Sequence, residues 1–94
     1  MKIATLTLNP ALDKSMEVER LVPEAKLRCS AVRLDAGGGG INVSKGIQRL
    51  GGTSTAVFPA GGANGARLRE LLTQAGITTE VIGIASETRE SYAV

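Results

Sequence analysis

Four consecutive glycines, Gly37, Gly38, Gly39 and Gly40, followed by Ile41, Asn42 and Val43, are the grouping in this 94-residue sequence with the clearest chemical use. Glycines let a ligand approach the backbone and permit φ > 0. A helix starting behind them offers free N–H groups and the positive end of its dipole to an anion or to polar hydroxyls. The run does not fit the phosphate-binding pattern G-x-x-x-x-G-K-S/T, because Lys45 follows Ser44 and precedes Gly46. It misses the dinucleotide pattern as well, since the third glycine position falls on Asn42 or Val43. Taken alone, the quartet reads equally well as a turn without a ligand. Asp13 follows the first apolar segment, and strand ends are where open α/β sheets bind ligands. A carboxylate there can accept hydrogen bonds from two sugar hydroxyls, although a solvated turn aspartate is the plainer reading of that residue alone. Lys26 and Arg28 could bind phosphate, as could Arg89 between Glu87 and Glu90. Each is equally a solvated base or an ion-pair partner.

Other chemistries are excluded by what the sequence lacks. There is no histidine, and Cys29 is the sole cysteine, most simply a small buried hydrophobe. Disulfides and histidine-based metal or triad chemistry are therefore outside its reach. Eleven basic and nine acidic residues give a net charge of +2 with the signs interspersed, too little to attract nucleic acid. Phe58 and Tyr92 are the only aromatic residues, so no stacking platform for bases can form. The apolar run in residues 3–8 is broken by threonines and is too short for a membrane span or a signal peptide. No membrane partner and a cytoplasmic location are the expectation. The glycosylation triplet Asn42-Val43-Ser44 has no role without secretion.

These residues need a scaffold, and the apolar pattern supplies one modest core. Residues 2–8 read as a buried strand stopped by Asn9-Pro10. Residues 15–19 and 27–35 read as two outlying strands with polar faces, separated by a turn at Pro23 and Glu24. Val43, Ile47 and Leu50 recur at helical spacing up to Gly51-Gly52, and Leu68, Leu71, Leu72 and Ala75 do so up to Gly76. Residues 53–59 and 77–84 complete an alternation of strand and helix that predicts a parallel α/β sheet. Residues 91–94 have strand composition and no closing helix follows, so further sequence is expected beyond Val94.

Four strings stand in one order and spacing: Thr5 to Asp13 (TLTLNPALD), Pro23 to Cys29 (PEAKLRC), Gly37 to Val43 (GGGGINV) and Phe58 to Gly65 (FPAGGANG). In this the sequence resembles the ribokinase-like (PfkB) carbohydrate kinases over nearly all its length. The resemblance implies a Rossmann-type parallel sheet with a small β-sheet lid built from residues 15–19 and 27–35. Residues 1–94 would then be the N-terminal part of one kinase domain, with the C-terminal part absent. It also implies transfer of phosphate from ATP, with Mg²⁺, to a sugar phosphate, and a homodimer through the lid strands. In that family the residue matching Asp13 binds sugar hydroxyls, and those matching Gly38, Gly39, Gly40 and Asn42 line the sugar-phosphate pocket. Arg89 matches the arginine that holds the substrate phosphate, and Lys26 matches a lysine near the partner's nucleotide site. The family's catalytic base lies in a Gly-Ala-Gly-Asp string that does not occur here, so no catalytic residue is expected in this segment and it should be inactive alone. All-glycine residues 37–40 and the Lys26-Leu27-Arg28-Cys29 string are most similar to kinases acting on fructose 6-phosphate, giving fructose 1,6-bisphosphate. Fructose-1-phosphate and tagatose-6-phosphate kinases share much of the pattern, but the former commonly carry a lysine among the glycines. A non-catalytic sugar-binding or dimerisation module is the alternative of another class. A nucleotide-binding Rossmann domain is weaker, given the failed fingerprint.

Overall fold

A computed structural model describes residues 2–18 and 29–93. They form strands β1 (Ala4–Leu6), β2 (Ala11–Val18) and β3 (Cys29–Gly37), helix α1 (Gly39–Arg49), strand β4 (Thr55–Ala60), helix α2 (Gly62–Gln74), and strands β5 (Thr78–Gly83) and β6 (Arg89–Ala93). Strands β1, β4 and β5 make a parallel sheet in that order, with α1 and α2 as the crossovers that parallel neighbours require. Burial alternates along β4, placing Ala56, Phe58 and Ala60 on one face. There they join Ile41 of α1, Leu68 and Leu72 of α2, and Ile77 and Ala36 in one cluster. Phe58 is the largest fully buried side chain.

The apolar stripe expected on α2 is the one that packs, with Leu68 and Leu72 buried and Leu71 partly buried. Helix α1 departs from the pattern: Ile41 and Ser44 face inward, while Val43 and Leu50 are 55% and 91% exposed. The inward face of α1 meets hydroxyls as well as apolar surface, from Thr5 on β1 and from Ser54 ahead of β4. Thr5 Oγ1 and Ser44 Oγ are 2.6 Å apart, and Ser54 Oγ donates to Ser44 Oγ at 2.9 Å. Both helices end as their glycines suggested. Gly51 and Gly76 have φ of 86° and 82°, and the next N–H groups, of Gly52 and Ile77, return to the carbonyls of Ile47 and Leu72.

The second sheet, ordered β3-β2-β6, holds the two segments expected to form a lid. Strands β2 and β3 are antiparallel, and β6 runs parallel to β2. Strand β2 starts at Ala11 rather than at residue 15, because Ala11 and Leu12 are almost wholly buried at its root. Strand β3 likewise runs past residue 35, with Ala36 in the core and Gly37 paired to Ala11. The expected turn at Pro23 and Glu24, the strand ends at residues 19 and 27–28, and Val94 lie outside the described residues. The strand read in residues 91–94 joins the lid and not the parallel sheet. Its approach is set by the preceding loop, where Thr88 N–H donates to the carbonyl of Gly61 at 3.0 Å.

Candidate functional site

Helix α1 begins inside the glycine quartet. Gly38, with φ of 132°, is its N-cap and supplies no side chain to the helix end. Thr7 acts in its place across the sheet: its Oγ1 accepts the Ile41 N–H at 2.8 Å. The N–H groups of Gly39 and Gly40, in the first turn, have no carbonyl four residues back to receive them. The glycines differ in purpose. A β-carbon at Gly40 would stand 2.5 Å from the Leu6 carbonyl oxygen and 2.6 Å from Thr7 Oγ1, and one at Gly38 would stand 2.5 Å from Thr7 Cγ2. At Gly39 nothing lies within 4 Å. Gly38 and Gly40 thus let the helix end close on the β1 loop, whereas Gly39 faces open space.

Asp13, half-buried on β2, sits over the start of this run, since a β-carbon on Gly37 would collide with its carboxylate. Strand register places Asp13 opposite Asp35 on one side and Ser91 on the other, and Ala11 opposite Arg89. Paired residues, and residues two apart, share a face, so Asp13, Asp35, Gly37 and Arg89 lie on one polar face of the lid. Arg89 is exposed, and its Nη2 donates to the Asn9 carbonyl at 3.3 Å. It lines a cavity of about 130 Å³ with Asn9, Pro10, Pro59 and Glu87, at the carboxyl ends of β1 and β4. Asn42 is exposed in the first turn of α1, its N–H bound to the Gly38 carbonyl. Lys26 lies outside the described residues. Asp35 escaped the sequence reading, because only strand register brings it beside Asp13; its carboxylate pairs with Arg33 Nε at 3.1 Å.

A second helix also opens on glycines, and the contrast is informative. At α2 the N-cap is Gly61, Gly62 has φ of 67°, and the Asn64 N–H donates to Glu87 Oε1 at 2.6 Å. A carboxylate of the chain itself therefore accepts from the first turn of α2, whereas at α1 the Ile41 N–H goes to the neutral Thr7 hydroxyl and the Asp13 carboxylate stands beside Gly37. Glu87 lies 23 residues from Asn64, so no local pattern signals this.

Other features contribute less. A hollow of about 320 Å³ at the amino ends of the core strands is lined by Lys2, Ile3, Thr53, Ser54, Thr55 and Thr78, with no carboxylate among them. On the opposite face of the lid from Asp13, the Tyr92 hydroxyl donates to the Glu90 carboxylate. That hydrogen bond and the Glu90 charge raise the phenol pKa above its usual 10.0. Among the described residues no three His, Cys, Asp or Glu side chains gather to hold a metal ion.

Comparison with known proteins gives this arrangement its relatives. Residues 6–94 match the pfkB family carbohydrate kinases. The chain is 54% identical over 93 residues to ATP-dependent 6-phosphofructokinase isozyme 2 of Mycobacterium tuberculosis, covering 99% of this chain and 27% of that protein. To the 1-phosphofructokinase of Xanthomonas campestris it is 38% identical over 89 residues, covering 95% of this chain and 28% of that protein. The crystal structure of phosphofructokinase-2 from Escherichia coli in complex with fructose-6-phosphate matches with a TM-score of 0.83 at 45% identity, over 95% of this chain and 29% of that one. The chain thus spans little more than a quarter of the length of these relatives. Its parallel sheet, lid strands and glycine-opened helix reproduce the ribokinase-like fold, and with nearly every residue matched, the chain belongs to the pfkB family of carbohydrate kinases.

Proposed function

We propose that the protein carrying this chain transfers the γ-phosphate of ATP to the 1-hydroxyl of fructose 6-phosphate, and that this segment supplies the sugar side of the site. The carrying observation is the meeting of three groups at one end of the fold. The Asp13 carboxylate lies over Gly37, the start of α1 presents Gly39 and Gly40, and Arg89 stands on the same face of the lid. A hydroxyl acceptor, a cluster of N–H donors and a guanidinium suit a phosphorylated polyol. In this reading Asp13 accepts two sugar hydroxyls, Gly38, Gly39, Gly40 and Asn42 line the pocket, and Arg89 grips the 6-phosphate.

Phosphoryl transfer forms a bond from the sugar oxygen to the γ-phosphorus, breaks the bond to ADP, and sends the hydroxyl proton to a base. The base and most of the nucleotide contacts are assigned to sequence outside this segment, with Lys26 reaching the partner subunit's nucleotide. Mg²⁺ would accompany the nucleotide phosphates, and no residue here is assigned to it. Fructose 6-phosphate is preferred over fructose 1-phosphate because residues 37–40 carry no lysine and the greater identity is to the 6-phosphofructokinase. Assay of the intact protein with fructose 6-phosphate, fructose 1-phosphate and tagatose 6-phosphate is expected to show kcat/KM highest for the first by about tenfold, a margin of about 1.4 kcal/mol. A preference for fructose 1-phosphate would overturn this substrate. Binding of sugar phosphate without any transfer would favour the non-catalytic module instead.

The homodimer is assigned to the other face of the lid, where Val32 and Tyr92 are 54% and 64% exposed. Sedimentation of the intact protein is expected at dimer mass, with Tyr92→Asp shifted toward monomer. An unshifted variant would move the interface elsewhere. A cytoplasmic location accompanies this reading. Among the described residues no helix is long and apolar enough to cross a membrane, and recovery in the membrane fraction would contradict it.

A further inference from the structure

The loop that delivers Arg89 to the site is tied at its last two residues to the start of α2. Four hydrogen bonds make the tie. The Gly61 N–H donates to Thr88 Oγ1 at 3.1 Å, the Thr88 N–H to the Gly61 carbonyl at 3.0 Å, the Asn64 Nδ2 to the Thr88 carbonyl at 2.9 Å, and the Asn64 N–H to Glu87 Oε1 at 2.6 Å. Thr88 is only 5% exposed, although it lies in a surface loop. Space for the loop is cleared by glycine. A β-carbon at Gly61 would collide with the carbonyls of Ile84 and Ser86, one at Gly62 with the Glu87 carboxylate, and one at Gly65 would stand 3.0 Å from Thr88 Oγ1. Gly61 and Gly62 are thus a seat for residues 84–88.

The Asn64 amide has a particular target. The Thr88 carbonyl belongs to the same rigid peptide plane as the Arg89 N–H, so whatever holds that oxygen sets the orientation in which the Arg89 side chain leaves the backbone. Arg89 itself is exposed, and its contact to Asn9 is long at 3.3 Å. Its aim depends on the backbone beneath it. We propose that Asn64 is a positioning residue for Arg89, holding the 88–89 peptide so that the guanidinium meets the phosphate of the sugar substrate. This rests on the assignment of that phosphate to Arg89.

Removing the amide leaves the other three hydrogen bonds, so the loop stays seated while the peptide plane is released. A misplacement of about 1 Å can cost up to about a hundredfold in an enzyme site. In the intact protein, Asn64→Ala is expected to raise KM for fructose 6-phosphate about tenfold, with KM for ATP within about twofold of the parent. Asn64→Asp, which keeps the shape and the backbone N–H but loses the amide donor, is expected to do the same. Thr88→Ser, which keeps the hydroxyl and the carbonyl, should behave as the parent. With unphosphorylated fructose as acceptor, Asn64→Ala should leave kcat/KM unchanged, a result that general damage to the fold would not give.

The decisive measurement is a double-mutant cycle. On an Arg89→Ala background, Asn64→Ala is expected to add nothing to the raised KM. If it raises KM again by its full factor, or if fructose suffers equally, Asn64 does not act through Arg89 and the proposal is overturned. If Arg89→Ala raises KM and Asn64→Ala does not, the proposal fails while the phosphate assignment stands. If Arg89→Ala leaves KM unchanged, that assignment fails and takes the proposal with it.

Discussion

Asp13→Ala, in the intact protein, is expected to lower kcat/KM for fructose 6-phosphate by about a hundredfold to a thousandfold while leaving thermal stability unchanged or slightly raised. The kinetic loss follows from the role proposed for the carboxylate. Hydrogen bonds to a charged group contribute about 1.5–3 kcal/mol each, and two of them at the lower figure already exceed a factor of a hundred. The stability expectation follows from the lid. Asp13 stands directly opposite Asp35 across the β2–β3 pair, and like charges in that relation destabilise a sheet. Arg33 pairs with Asp35 and offsets part of the repulsion. A folded protein would therefore lose little from the substitution, and a ligand would lose much. Steady-state kinetics beside a thermal melt separate the two. Full activity in Asp13→Ala would remove Asp13 from the sugar site, and a melt lowered in proportion to activity would make its role structural.

Gly39→Ala and Gly40→Ala are expected to part in opposite directions, although they change neighbouring residues in the same way. At Gly39 a methyl meets nothing within 4 Å, and removing a glycine from a position that alanine can adopt stabilises by about 0.4–1 kcal/mol. The methyl nevertheless projects into the space from which a ligand would reach the first-turn N–H groups, so substrate affinity should fall about tenfold or more. At Gly40 the methyl would lie 2.5 Å from the Leu6 carbonyl oxygen. That backbone is fixed by β1, whose pairing to β4 continues through the Thr7 N–H bond to the Val57 carbonyl at 2.9 Å. Overpacking of this kind costs about 1–3 kcal/mol, so Gly40→Ala should melt earlier and also lose activity as the helix start moves. Melting and kcat/KM measured on both variants check the pair. A Gly40→Ala protein as stable as its parent, or a Gly39→Ala protein with undiminished affinity, would contradict the division between a packing glycine and a ligand-facing one.

What the sequence made legible was whatever is encoded locally. The strands flanking α2, the Leu68–Leu72 stripe and the helix-ending glycines Gly51 and Gly76 all lie within a few residues of the signals that specify them. The glycine quartet and Asp13 were visible for the same reason. The stripe on α1 misled because hydropathy marks Val43 and Leu50 as inward residues, whereas Ser44 turns inward beside Ile41 to meet the Thr5 hydroxyl, 39 residues away in the chain. Asp13 read as part of a turn because Asn9-Pro10 ends one strand, and nothing nearby says that another begins at once. Asp35 and Glu87 were missed because register and trans-capping join residues far apart in the chain. Strand β6 has the composition of any strand, and its pairing with β2 joins residues far apart in the chain.

The capping of α2 by Glu87 bears on which helix start a ligand can reach. A chain that starts two helices on glycine could, on backbone chemistry alone, take up two anions. With an internal carboxylate already bonded to the Asn64 N–H, the start of α2 is occupied by the chain itself, which leaves the start of α1 as the helix opening on glycine that a ligand can approach.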